Sequence, residues 1–207
     1  ASHELRSPLT RLKMAVSMLE DAAPAQRAAM RREIDVNIGE LDALVEEVLL
    51  ASRLDASAVL ERQDDVDLLG LAAEEAARVN ATVQGDAVLL RGNERLIRRA
   101  LRNLLENARR YGGGEVELDV RRVGAQVEMH VCDRGPGVPD AFRERIFEPF
   151  FRLPGHAEKA GGVGLGLALV RQIAERHGGG VRCEPREGGG SCFTLSLPLS
   201  YPASVRA

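Results

Sequence analysis

The sequence predicts an α+β protein in which an antiparallel helical hairpin precedes an α/β sandwich. Three observations carry that expectation. Apolar residues near the start recur at alternating spacings of four and three. After a short polar stretch, helical periodicity is interspersed with runs of polar–apolar alternation. Glycines then cluster at the ends of those runs, where turns and close backbone approaches belong.

The first helix shows its pattern at Leu5, Leu9, Leu12, Val16 and Leu19, a heptad seam. "DAAPAQ" at 21 to 26 breaks it, with Pro24 as the punctuation, so the first helix is expected to end near Ala22. A second pattern follows at Ile34, Ile38, Leu41, Val45 and Val48, and predicts a helix over about 25 to 61. Such a hairpin has too little core by itself, and pairing two copies into a four-helix bundle solves that. The far end of helix two, with Val48, Leu49, Leu50, Leu54 and Val59, outruns helix one and is too apolar for a free helix. The natural chain is therefore expected to carry about two further heptads upstream. "RQDDVD" at 62 to 67 is polar and reads as a linker, which divides the chain into 1–62 and 63–207.

In the second part, helices are expected at about 68 to 79, 94 to 110 and 165 to 177. Strands are expected in "EVELDVRRV", "QVEMHVCD", "GGVRCEP" and "CFTLSLPL". Helices mixed with hairpin-like strand pairs make an α+β sandwich. The tail "SYPASVRA" is expected to fray.

Composition narrows the function. A net charge of −3 offers no electrostatic footprint for nucleic acid, and with 3% aromatics and no Trp there is no stacking platform for bases. No run approaches the roughly 20 apolar residues of a membrane span, and no signal peptide is visible. Cys132, Cys183 and Cys192 lie at no metal-ligand spacing. Each falls in a strand-like run, so packed free thiols are expected, a cytosolic disulfide being unusual.

Four stretches stand out chemically. "GGVGLGLALV" (161 to 170) crowds glycines at the opening of a helix. Each glycine costs a helix interior roughly 1 kcal/mol against alanine, so backbone approach to an anion is the functional reading and a flexible loop the bland one. No Gly-Lys-Ser/Thr follows and no βαβ unit surrounds it, so neither a Walker loop nor a dinucleotide fingerprint is present. "DRGPGVP" (133 to 139) ends a strand with Asp133, an ordinary turn or a carboxylate poised to accept from an exocyclic amine. "NLLENARRYG" (103 to 112) sets Asn103 and Asn107 at i and i+4 on one face, either solvated or able to offer Mg²⁺ a neutral oxygen. "FEPFFR" (147 to 152) spends three of five phenylalanines, which packing explains equally well.

In their chain order, Asn pair, "DRGPG" turn, "FEPFFR" and glycine run, the four stretches resemble the sensor histidine kinases of bacterial two-component systems, over about residues 1 to 198. "HELRSPLT" (3 to 10) looks like their H box and "NLLENARRYG" their N box. "DRGPGVP" and "GGVGLGLALV" look like the two glycine boxes, "FEPFF" the F box, and "GGGSCFTLSLP" the closing strand motif. The resemblance implies a dimerisation and phosphotransfer hairpin followed by an ATP-binding domain of the Bergerat type. It implies His3 as phosphoacceptor and Glu4 as the residue that polarises or deprotonates it. Asn107 would be the Mg²⁺ ligand, with Asn103 beside the phosphates. Arg110 and Tyr111 would flank the nucleotide, Asp133 would meet the adenine amine, and Gly135 and Gly137 would shape that turn. Gly162, Gly164 and Gly166 would free backbone around the phosphates. Ser7 stands where relatives with strong phosphatase activity often carry Thr or Asn. Lys159 stands where many carry Arg, a point charge in place of a fork.

The frame of the seam puts His3 off the apolar stripe, with Ser7 and Thr10 on the same outer face. An ordinary imidazole, with a pKa of about 6.5, is largely neutral at pH 7 and can attack a γ-phosphate. Pro8 removes the helical donor for the carbonyl of Glu4, which would loosen the helix there. His177, before "GGG", looks like a C-cap and a favourable cation; His130 and His156 look structural. The expected activity is ATP-dependent autophosphorylation of His3 and transfer to an aspartate of a response regulator. The fragment would lie in the cytoplasm as part of an inner-membrane sensor and act as a homodimer. The rivals are a Bergerat-fold ATPase and a degenerate dimeric phosphotransfer scaffold.

Overall fold

The computed structural model describes residues 2–19, 24–56, 63–154 and 164–199, which fall into two compact units, Ala1–Arg53 and Leu54–Ala207. The first contains α1 (Ser2–Leu19) and α2 (Pro24–Ala56). α1 continues through Pro8 without a break. Pro24 opens α2 instead of merely interrupting a helix. In a first turn its missing N–H has no intrahelical acceptor to lose, and its fixed φ already suits the helix. Residues 20–23 and 57–62 lie outside the described residues, and with them the expected helix end at Ala22 and the apolar Val59. Within the single chain Ala15 is buried, but the seam residues Leu9 and Val16 are 51% and 50% exposed. Val36, Val45 and Leu49 on α2 are exposed as well.

The second unit runs β1 (Asp64–Asp67), α3 (Leu68–Ala77), β2 (Thr82–Gly85), β3 (Leu89–Gly92), α4 (Glu94–Tyr111), β4 (Glu117–Val123) and β5 (Gln126–Cys132). Two single-turn 3₁₀ segments, Asp140–Phe142 and Arg145–Phe147, lead on to α5 (Gly166–Arg176), β6 (Gly180–Pro185) and β7 (Ser191–Pro198). Five strands form one sheet in the order β2-β4-β5-β7-β6. Only the β2–β4 pair is parallel. The period of two sends Val127, Met129 and Val131 of β5, and Phe193, Leu195 and Leu197 of β7, to the buried face. The three helices contribute Leu71, Leu101, Leu104, Leu105, Leu169 and Ile173 to the core. The layer arrangement is the expected α+β sandwich.

Three short strands were not expected. "RQDDVD", read as a linker, contains β1, whose Val66 is buried and lies opposite buried Leu90 of β3. Asp67 then caps α3, its Oδ1 accepting from the Gly70 N–H at 3.1 Å. Four acid-rich residues show almost no periodicity, and one buried valine suffices to pin them.

The free-thiol expectation fails for two of three cysteines. Cys132 and Cys192 are register partners on β5 and β7 and form a disulfide, with Cα atoms 4.1 Å apart. The spacing of 60 residues hides a contact that only strand register creates. Cys183 is a buried free thiol, pushed up to about 11 by burial.

His177 also departs from expectation. It does end α5, but it is buried and neutral rather than a cation. Its Nδ1 donates to the Ile173 carbonyl at 2.7 Å, and its Nε2 accepts from the Asn93 N–H at 3.2 Å. Burial pushes its pKa below the ordinary imidazole value, in keeping with an acceptor Nε2. Asn93 in turn caps α4 through Leu96 N–H, 3.1 Å from its Oδ1. A second brace holds α4 to α3. Buried Glu75 takes a two-pronged bond from Arg102, at 2.8 and 2.9 Å, and a third from Arg98 at 3.2 Å.

Candidate functional site

The site is built where α4 ends against the turn after β5. Along β5, Val127, Met129 and Val131 point inward, and Asp133 continues that alternation past the end of the strand. Its carboxylate is therefore delivered, buried, to the helical side of the sheet. Oδ1 accepts from the Gly135 N–H at 2.8 Å and from the Ser191 N–H at 3.3 Å. Among the described residues Oδ2 accepts from no protein group, which leaves one oxygen for an outside donor.

Three glycines allow this convergence. A Cβ on Gly112, at the C-cap of α4, would collide with the Ala108 carbonyl and with Asp133 Cβ. One on Gly135 would strike the Tyr111 carbonyl and lie 2.9 Å from Gly112 Cα. One on Gly190 would strike the Asp133 carbonyl. Gly137 adopts φ +76°, a left-handed conformation that favours glycine. Helix end, turn and hairpin thus meet around one carboxylate.

α4 supplies the amides. Asn103 is buried, and its Nδ2 donates to the Gly166 carbonyl at 3.1 Å, so it ties α4 to the start of α5. Asn107, one turn on, is half-buried. Tyr111 is half-buried and Arg110 exposed at the end of the helix. The phenylalanine stretch divides its labour. Phe147 is buried edge-on to Phe193, with ring centroids 6.3 Å apart. Phe150 adopts φ 65°, rare for a bulky residue, and its N–H donates to the Gly164 carbonyl at 2.8 Å. Gly164, at φ +77°, could not carry a Cβ, which would sit 2.8 Å from the Phe151 carbonyl. Gly166 differs, since an added Cβ there meets only Asn103 at an ordinary 3.6 Å. The F-box-like stretch therefore anchors the second glycine box by backbone.

The structure gathers Asn103, Asn107, Tyr111, Asp133, Gly135, Gly137, Gly164 and Gly166 within one unit. Lys159 and Gly162 lie outside the described residues, as does His156. The backbone of His3, Glu4 and Ser7 belongs to α1, and their side chains lie outside the description. Sequence reasoning missed Ser191, Gly112 and Gly190. "YGGG" and "EGGG" were signals for the glycines, whereas Ser191 acts through its N–H, which no side chain advertises.

The donor set fits Mg²⁺ only in company. Among the described residues no group of three His, Cys, Asp or Glu could hold a metal by itself. A half-buried amide oxygen suits an ion whose other ligands are water and phosphate oxygens.

Comparison with known proteins agrees with this geometry. Residues 1–57 match the family model "His Kinase A (phospho-acceptor) domain". Residues 92–201 match "Histidine kinase-, DNA gyrase B-, and HSP90-like ATPase". Sensor protein RstB of Escherichia coli (strain K12) is 38% identical over 96% of this chain and 47% of its own length. Alginate biosynthesis sensor protein KinB of Pseudomonas aeruginosa is 37% identical over 96% of this chain and 36% of its own. The chain thus spans about half or less of these relatives. Among solved structures, full-length ShkA in complex with AMPPNP is 29% identical with a TM-score of 0.70, covering 98% of this chain and 45% of that one. Among the described residues no helix is long and apolar enough to cross a membrane. With a phospho-acceptor hairpin and an ATPase-type sandwich in one chain, it belongs to the sensor histidine kinase family.

Proposed function

We propose that this chain is the kinase module of a two-component sensor, which phosphorylates His3 from ATP and passes the phosphoryl group to an aspartate of a response regulator. The hairpin would occupy residues 1–62 and the ATP-binding domain 63–207. The observation that carries the reading is the Asp133 carboxylate, with Oδ1 held by two backbone N–H groups and Oδ2 uncommitted. That is the acceptor an adenine amine needs. The AMPPNP complex of ShkA supports the choice of nucleotide.

Each residue then has a task. Asp133 orients the base, and Tyr111 and Arg110 line the end of α4 beside it. Asn107 would hold Mg²⁺, which supplies charge neutralisation on the phosphates. Gly164 keeps the backbone of the second glycine box clear of side chains, and Lys159 and Gly162 would complete that loop. In the hairpin, His3 is the nucleophile, and Glu4 accepts or orients its ring proton. Ser7, one turn on, would position a water for dephosphorylation of the regulator.

The exposed Leu9 and Val16 of α1 and Ile38, Val45 and Leu49 of α2 support a homodimer through the hairpin, since a monomer would leave those apolar stripes in water. The kinship with sensor proteins supports a cytoplasmic position within a membrane sensor. Incubation with γ-labelled ATP and Mg²⁺ tests the whole reading. Acid-labile label should appear on the chain, and His3→Gln should abolish it while nucleotide binding persists. Release of free phosphate alone would indicate an ATPase, and undiminished label in His3→Gln would remove His3 from its role.

A further inference from the structure

The Cys132–Cys192 disulfide lies on the solvent-facing side of the sheet, one residue from the nucleotide corner. Cys132 shares the outer face of β5 with Glu128 and His130, and both bridged cysteines are half-exposed. Their neighbours in sequence, Asp133 and Ser191, point the other way and bond each other. The Asp133 N–H donates to the Ser191 carbonyl at 2.9 Å, and the Ser191 N–H returns to Asp133 Oδ1 at 3.3 Å. A crosslink that solvent can reach thus holds the last rung before the base-binding carboxylate.

We propose that Cys132 and Cys192 form a reversible redox site that sets nucleotide affinity. The inference rests on the nucleotide-binding reading given above. The reductant is a low-molecular-weight thiol. Its thiolate attacks one sulfur to form a mixed disulfide, and the departing cysteine takes up a proton. A second thiol resolves the mixed disulfide. Two thiols are oxidised to one small disulfide, and the protein disulfide is reduced to two cysteines. In a reducing compartment, disulfides that do form are usually catalytic or redox-sensing rather than structural.

The direction follows from the geometry. Reduction removes the covalent tie at this rung, so the strand ends beyond it are held together by hydrogen bonds alone, chiefly the Asp133 N–H to the Ser191 carbonyl, and gain freedom. Of the two bonds on Asp133 Oδ1, the one from Ser191 is the longer and spans the same two strands, so it weakens first. The bond from Gly135, at 2.8 Å, lies within the turn and persists. The carboxylate then loses one of its two restraints, and the adenine acceptor is less well aimed. Cys183 cannot substitute for either partner. It lies on the opposite face of the sheet, buried among Phe193 and its neighbours, with its thiol held protonated.

The chain, equilibrated with reduced or oxidised glutathione, is titrated with Mg–ADP by calorimetry, and alkylation with mass spectrometry reports each cysteine. The oxidised chain should bind about three- to tenfold more tightly, the worth of one ordinary hydrogen bond. Cys132→Ser/Cys192→Ser should bind like the reduced chain in either buffer, and Cys183→Ser should still respond. Equal affinity in the two states of the unaltered chain would overturn the proposal, and so would full alkylation of Cys132 and Cys192 after glutathione disulfide. Absence of ADP binding in both states would instead overturn the nucleotide-site reading beneath it.

Discussion

Replacing Asp133 with asparagine separates the structural role of this side chain from its role toward the base. Asparagine keeps an oxygen at the Oδ1 position, so the N–H groups of Gly135 and Ser191, at 2.8 and 3.3 Å, retain their acceptor. What changes is the second oxygen, which becomes an NH₂ and turns a donor toward a nucleobase amine. Losing a hydrogen bond to a charged acceptor costs about 1.5–3 kcal/mol, or roughly ten- to hundredfold in affinity. The fold loses much less, because no buried donor is orphaned. For a unit of this size the melting temperature should shift by less than about 4 °C. Calorimetric titration with Mg–ADP and thermal melts of the same samples give both numbers. Mg–GDP should gain relative to Mg–ADP, since the guanine O6 accepts where the adenine amine donates. Unchanged ADP affinity with a melting temperature lowered by more than about 6 °C would show a purely structural carboxylate and refute the assignment.

Gly135→Ala should abolish Mg–ADP binding and lower the melting temperature, because its Cβ meets backbone on two sides. Gly166→Ala, which meets only an ordinary contact, should do neither. Glu75→Gln keeps the shape but weakens three bonds from Arg98 and Arg102, whose side chains are 28% and 31% exposed. Discounted for that exposure, it should cost about 1–3 kcal/mol, measured by urea unfolding. The Glu75 pKa is lowered chiefly by Arg102, so its stabilisation stands above the ordinary carboxylate range and is lost as pH falls through the folded value. His177 has its pKa lowered by burial, so the unfolded chain binds the proton first and stability falls as pH drops below the ordinary imidazole value. His177→Gln should flatten the slope of unfolding free energy, measured by urea titration between pH 7 and pH 5, by up to about 1.4 kcal/mol per pH unit; an unchanged slope would refute the neutral, buried assignment.

The helices and four longer strands were legible because each repeats its period over two or more turns or rungs. α4 and β5 fell within two residues of expectation for that reason. β1, β2 and β3 were not legible. Each has four residues, and each exists because a neighbouring strand offers a register, not because its own pattern repeats. Asp133 could be read from its setting at a strand end before two glycines. Ser191 could not, because its contribution is a main-chain N–H brought close by a pairing 58 residues away in sequence. The disulfide was invisible for the same reason, and His177 was misjudged because an end-of-helix position suggests a charge until its burial is known.

The carboxylate at the centre of the site is aimed by main-chain N–H groups rather than by side chains, and this divides its surroundings into two mutational classes. A main-chain N–H survives any replacement except proline, so the bond from position 191 to Asp133 tolerates other small side chains in that buried place, which would forfeit only the hydroxyl that accepts the Val138 N–H at 3.1 Å. Positions 112, 135 and 190 are the reverse, since any Cβ closes the space the backbone occupies. A lineage carrying this corner can therefore vary the residues that face a nucleotide while its acceptor stays fixed. Ligand preference can drift quickly in such a pocket, and the geometry that makes it a pocket can scarcely drift at all.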